Sequence, residues 1–119
     1  MRDSRKCWPL VVPDTPAAWR PLADVYRTKG SWLLKFDLAG VRLEDVTVAV
    51  RGRCVTVSGF RKDLAVEEGS SYYSMEISYN RFERTIEIPV SLENARISLQ
   101  AEDGILLVRM NTEGNEHVR

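Results

Sequence analysis

The chain has 119 residues with 17 Lys+Arg, 17 Asp+Glu and one His, a formal net charge of zero. That length supports one domain around a single hydrophobic core and leaves little room for a second. Balanced charge argues against the net basic surface of a nucleic-acid binder and against a polybasic membrane anchor, and it lowers the barrier to self-association.

Residues 1–21 carry Pro9, Pro13, Pro16 and Pro21, which interrupt regular structure. The apolar stretch from Cys7 to Val12 is cut by Pro9 and stopped by Pro13, too short for a secretory signal core. No stretch approaches the roughly 18 apolar residues of a transmembrane helix, so a cytoplasmic protein with no membrane partner is expected. The segment reads as a flexible arm. Its apolar load, Trp8, Leu10, Val11, Val12 and Trp19, is of the kind that docks on another surface.

From Leu22 the hydrophobic period becomes two. Ala23 and Val25, then Trp32, Leu34, Phe36 and Leu38, predict two strands joined by a turn at Lys29-Gly30. Val46, Val48 and Val50, a turn at Gly52-Arg53, then Val55 and Val57 predict the clearest hairpin. A polar loop from Arg61 to Ser71 precedes a short strand over Tyr73, Met75 and Ile77. Phe82 to Ile88 form a strand stopped by Pro89; Ile97, Leu99 and Ala101 alternate; Asp103-Gly104 turns the chain into Ile105–Met110. The residues from Asn111 to Arg119 read as a polar tail. About eight short strands at this spacing, with no amphipathic helix, predict an all-β, immunoglobulin-like antiparallel sandwich over residues 22–110.

Nothing in the sequence recommends catalysis. The one histidine, His117, lies in the tail, and no nucleophile–base pair, metal-ligand spacing or phosphate loop is present, so no catalytic residue, metal or cofactor is expected. Cys7 and Cys54 are too few for a disulfide framework and lack CxxC spacing; Cys54 opens an alternating apolar run and reads as a small buried thiol. The informative feature is surface. A strand such as Tyr73–Ile77, emerging from a long loop, is not stable alone and needs a sheet edge, which points to a strand-exchanged dimer.

The segment from Leu22 to Met110 resembles the α-crystallin domain of small heat shock proteins of the bacterial and plant type. The resemblance rests on Asp24-Val25-Tyr26, Phe36-Asp37-Leu38-Ala39-Gly40-Val41, Glu44-Asp45-Val46, Val55-Thr56-Val57-Ser58-Gly59, Glu76, Phe82-Glu83-Arg84, Pro89 and Asp103-Gly104-Ile105-Leu106. It implies an ATP-independent chaperone that holds unfolding proteins and suppresses their aggregation in the stress response. It implies a homodimer in which Tyr72–Ser78 pairs with a partner's first strand. The interface would include Ala23, Val25, Tyr26, Tyr72, Tyr73, Met75, Glu76 and Ile77, with Arg84 facing a carboxylate such as Glu76. It also implies an apolar groove walled by Val46, Val48 and Val50 and by Ile97, Leu99 and Ala101, which an Ile-x-Ile motif of a neighbour's tail fills. Two aliphatic side chains two residues apart point the same way on a strand, and burying each is worth roughly 1.5–3 kcal/mol.

The sequence departs from the family pattern in places. The tail has no Ile-x-Ile motif, Asn111-Thr112 replaces Pro-Lys, Ala39 replaces a proline, and Leu99 and Ala101 invert the usual small-then-large pair. In the loop, Ser74, Ile77 and Asn80 replace the usual arginines and glycine. Leu10 and Val12, flanked by prolines and two residues apart, are expected either to fill the groove in place of the tail, in cis or in trans, or to serve as client-binding surface. Unfolding client proteins are the expected partners of a dimer or small homo-oligomer, met by the arm and the groove. The alternatives are an adaptor or structural domain, or a CS-type co-chaperone, binding one specific partner.

Overall fold

A computed structural model describes residues 19–63 and 67–112. Seven strands follow one another: β1 (Ala23–Thr28), β2 (Ser31–Asp37), β3 (Val46–Arg51), β4 (Cys54–Arg61), β5 (Asn80–Glu87), β6 (Arg96–Glu102) and β7 (Ile105–Asn111). They form two antiparallel sheets, one ordered β1-β2-β7-β6 and the other β3-β4-β5. Leu43–Asp45 makes one 3-10 turn between the layers. The expected sandwich is therefore present, with hairpin turns where the glycines sit: Gly30, Gly52 and Gly104 all take positive φ.

Alternation assigns the faces. Val48 lies opposite Val57 and Val50 opposite Val55, while Leu34 lies opposite Val108 and Phe36 opposite Leu106. These positions turn inward, and the core they build contains Leu34, Phe36, Val55, Val57, Phe82, Ile88, Val108 and Met110, all fully buried. Gly59 also faces inward. A Cβ there would stand 2.2 Å from the Asp45 carbonyl oxygen and 2.9 Å from the Phe82 ring, so only glycine lets the ring and the 3-10 turn close on β4.

Four details differ from the expectations. The segment Tyr72–Ser78 forms no strand within the chain; between β4 and β5 the described residues run as loop and turn. A strand needs a neighbour, and this segment has none among the described residues. The last strand runs on to Asn111, and Thr112, only 1% exposed, donates its backbone N–H to Gly30 O at 3.0 Å. At the other end the domain begins before Leu22: Trp19 bridges to Phe82 and Pro21 is fully buried. Finally, Cys54 is neither buried nor a free thiol: it is half-buried and held in a disulfide. Its register opposite Arg51 and Glu87 puts it on the outer face, because it precedes inward-facing Val55 by one residue.

A candidate dimer edge and apolar groove

The first candidate region gathers at one edge of the larger sheet. β1 is the terminal strand there, paired with β2 on one side only, and is exposed from Asp24 onward. Val25 and Tyr26 are among its exposed apolar side chains; Ala23, opposite Phe36, is half-buried. Tyr72, Tyr73, Met75, Glu76 and Ile77 are exposed too, Tyr73 completely. Within one chain the structure brings no pairing between this segment and β1.

Arg84 lies on the inward face of β5, opposite Val57. Its Nη1 donates to Pro21 O at 2.8 Å, while its Nε is buried with no hydrogen-bond partner. Desolvation, and then the nearby Arg20, hold its guanidinium below the ordinary arginine value. Among the described residues no ion pair of Arg84 with a carboxylate is found, and the expected pairing with Glu76 is not made inside one molecule.

The second region lies where the two sheets part at their other edges. β3 and β6 are terminal strands of their respective sheets. Val46, Val48 and Val50 pair with core-facing residues of β4, and Ile97, Leu99 and Ala101 pair with Met110, Val108 and Leu106 of β7. All six therefore point between the layers. Yet Ile97 is 39% and Leu99 48% exposed, and the three valines are only half-buried. At one end, Val46 and Ala101 share a cavity of about 140 Å³ with Leu38, Val41, Leu43 and Ile105. The walls named from the sequence thus stand on facing edge strands with apolar side chains uncovered.

Trp19 is placed otherwise than in a free arm. Its ring packs on Phe82 with centroids 5.1 Å apart, and its Nε1 donates to Asn80 O at 3.2 Å. The Arg61 guanidinium stacks over the Trp19 ring at 4.1 Å and over Tyr79 at 5.8 Å. Arg61 also donates twice to Ser78 O, at 2.8 and 2.6 Å, and to Ala39 O at 3.1 Å. One side chain so ties the base of the arm, the end of the long loop and the β2–β3 connection. Sequence reasoning missed it, since an arginine closing a strand carries no motif. The remaining arm residues, Trp8, Leu10, Val11 and Val12, lie outside the described residues, as does the polar tail from residue 113. Among the described residues no cluster of three or more His, Cys, Asp or Glu could hold a metal ion, and no helix is long and apolar enough to cross a membrane.

With this geometry in hand, the comparisons with known proteins are decisive. The Hsp20/alpha crystallin family model matches residues 24–119. The chain belongs to that family. It is 30% identical over 95 residues to spore protein SP21 of Stigmatella aurantiaca, covering 80% of this chain and 56% of that protein. It is 32% identical over 101 residues to the 17.1 kDa class II heat shock protein of Pisum sativum, covering 84% and 66%. Small heat shock protein C2 of Rickettsia felis is 26% identical over 86 residues, 72% of this chain and 56% of that one. The chain thus spans little more than half of the bacterial relatives. Among solved structures, heat shock protein 16.0 of Schizosaccharomyces pombe superposes with a TM-score of 0.70 at 27% identity, covering 85% of this chain and 94% of that one. HSP18.5 from E. histolytica superposes at 0.68 with 24% identity, over 86% and 96%, a likeness of fold. Membership of this small heat shock protein family supports a chaperone role in general terms and a non-enzymatic one.

Proposed function

We propose that the chain is an ATP-independent holdase, acting in the cytoplasm as a dimer or small homo-oligomer, that captures apolar segments of unfolding proteins. One observation carries the reading. The domain completes a closed core and still leaves Tyr72, Tyr73, Met75, Ile77, Ile97 and Leu99 exposed. Apolar surface that is not needed for stability is surface free to bind, and binding through it requires no nucleotide.

The dimer forms by strand addition. The open edge of β1 presents unpaired backbone groups, and Tyr72–Ser78 supplies a strand without a neighbour. Arg84, whose Nε is buried without a partner and which has no counter-charge among the described residues, takes a carboxylate from the partner, with Glu76 the candidate. The groove between β3 and β6 takes an extended client segment bearing two aliphatic side chains two residues apart. Trp19 is occupied with Phe82 and Arg61, so the arm's client contacts fall to Trp8, Leu10, Val11 and Val12.

The test is light scattering from an unrelated protein heated with and without the chain, in the absence of ATP. Suppressed scattering at a several-fold molar excess is the expected result. Unchanged scattering, with one tight partner recovered from a lysate, would instead make it an adaptor.

A further inference from the structure

Mutual strand exchange sets a condition that a single strand addition does not. Each chain gives Tyr72–Ser78 and receives its partner's, so both exchanges close together only if the given segment and the receiving edge keep one fixed offset within each chain. The segment itself does little to fix it. Residues 70–78 are exposed throughout, and burial resumes only at half-buried Tyr79.

One side chain stands at the root of both parts. Arg61 ends β4, opposite Asn80, the first residue of β5. Gly59 faces inward, so Arg61, two residues on, takes the same face beyond Phe82. There its Nε and Nη2 both donate to Ser78 O, at 2.8 and 2.6 Å, and its guanidinium lies over the Tyr79 ring at 5.8 Å. The end of the given segment is thereby gripped. The same guanidinium lies over Trp19 at 4.1 Å. From Trp19 the chain runs into the receiving edge along a fixed path. The Glu83 N–H donates to Trp19 O at 3.3 Å, Arg84 Nη1 to Pro21 O at 2.8 Å, and the Asp37 N–H to Leu22 O at 3.0 Å, one residue before β1 begins. The remaining arm of the fork, Arg61 Nη1, donates to Ala39 O at 3.1 Å, in the connection that leaves β2, the strand paired with β1.

We propose that Arg61 is the positioning residue of strand exchange: it sets the offset between Tyr72–Ser78 and β1 within one chain, so that two copies close both exchanges at once. This role rests on the strand-exchanged dimer proposed above. Arginine suits it for a chemical reason. A planar guanidinium aims several N–H groups in fixed directions and still offers its faces to aromatic rings, whereas a lysine ammonium is a point charge on a flexible stem. Without the fork the segment pivots about Tyr79. Its direction must then be ordered during association, which weakens the dimer. The sandwich is spared, since Arg61, Ala39, Ser78 and Tyr79 all lie outside the buried core.

The experiment compares Arg61→Lys with the unaltered full chain by sedimentation over a range of concentrations. The unaltered chain is expected to dimerise, and Arg61→Lys to dissociate at a several-fold higher concentration with the denaturant midpoint of its monomer unchanged. Tyr79→Ala, which keeps the arginine and removes one ring, is expected to weaken the dimer in the same direction. Backbone order is then read by NMR relaxation in a chain carrying Ser74→Pro and Met75→Pro, which is expected to be monomeric. Adding Arg61→Lys should lower the order of Ser78 and Tyr79 and leave β1, β2, β4 and β5 as they were. Equal dissociation of the unaltered and Arg61→Lys dimers would overturn the role. So would a loss of order spread over β1 and β2, which would make Arg61 a support of the fold instead. An unaltered chain that stays monomeric, or a doubly proline-substituted chain that stays dimeric, would remove the strand-exchange reading and this role with it.

Discussion

Individual residues decide how tightly this sandwich closes. Gly59 allows the Asp45 carbonyl and the Phe82 ring to approach β4, and no relaxation of a flexible side chain can relieve a 2.2 Å contact with backbone. Gly59→Ala is therefore expected to cost about 1–3 kcal/mol, read as a lower denaturant midpoint with an unchanged slope. Asn80 takes a positive φ of 75°, a conformation asparagine tolerates and branched residues do not. Asn80→Gly should be nearly neutral and Asn80→Val clearly destabilising in the same assay. Glu44 shows how little a surface pair contributes. Its own backbone N–H and the Arg42 guanidinium hold its carboxyl below the ordinary range. The pair's stabilisation is thus fully present above the usual carboxylate pKa and is lost as pH falls through the lowered value. Both groups are fully exposed, so Glu44→Gln should leave thermal stability almost unchanged in physiological salt. Residues of this kind are partly legible in sequence. Gly59 ends a recognisable run, but Arg61 and the disulfide of Cys54 depend on neighbours far along the chain, which period and spacing do not reveal.

At the scale of elements, all seven strands were legible because one face of each is apolar and every hairpin has its turn residues. The groove walls came from the resemblance, and the structure places those six residues at inward positions of the edge strands β3 and β6. The segment Tyr72–Ser78 shows the limit. Its alternating Tyr73, Met75 and Ile77 look like a strand, yet pairing is a property of two partners, and one chain supplies only one. This yields a selective prediction. Proline at both Ser74 and Met75 removes one donor from each side of the segment and touches nothing in the core. The doubly substituted chain is expected to keep its unfolding midpoint extrapolated to low concentration and to sediment as a monomer. A dimer of undiminished stability would place the interface elsewhere. For the groove, Leu99→Asp puts a charge where an apolar segment must dock. Leu99 is already half exposed, so client capture should fall several-fold while stability changes by no more than about 1 kcal/mol.

For the whole molecule, zero net charge and a length of 119 residues take on a definite sense. The sandwich uses residues from Trp19 to Thr112 and has two edges it does not cover itself, β1 and the β3/β6 groove. Weak self-repulsion makes those edges usable. Removing residues 1–14 is expected to reduce client capture and leave the dimer mass unchanged; a smaller assembly would mean that Leu10 and Val12 fill a neighbour's groove. Fold class was legible from periodicity, and family membership only through the ordered residues of the resemblance, because a binding surface has no catalytic constellation to recognise. Capture of unfolding chains by exposed apolar surface, without energy input, is checked by heating an unrelated protein with this one, without nucleotide, and separating the products by size. A soluble complex containing both chains is the predicted result. Precipitation of the heated protein at its unassisted rate, with this chain left alone in solution, would contradict it.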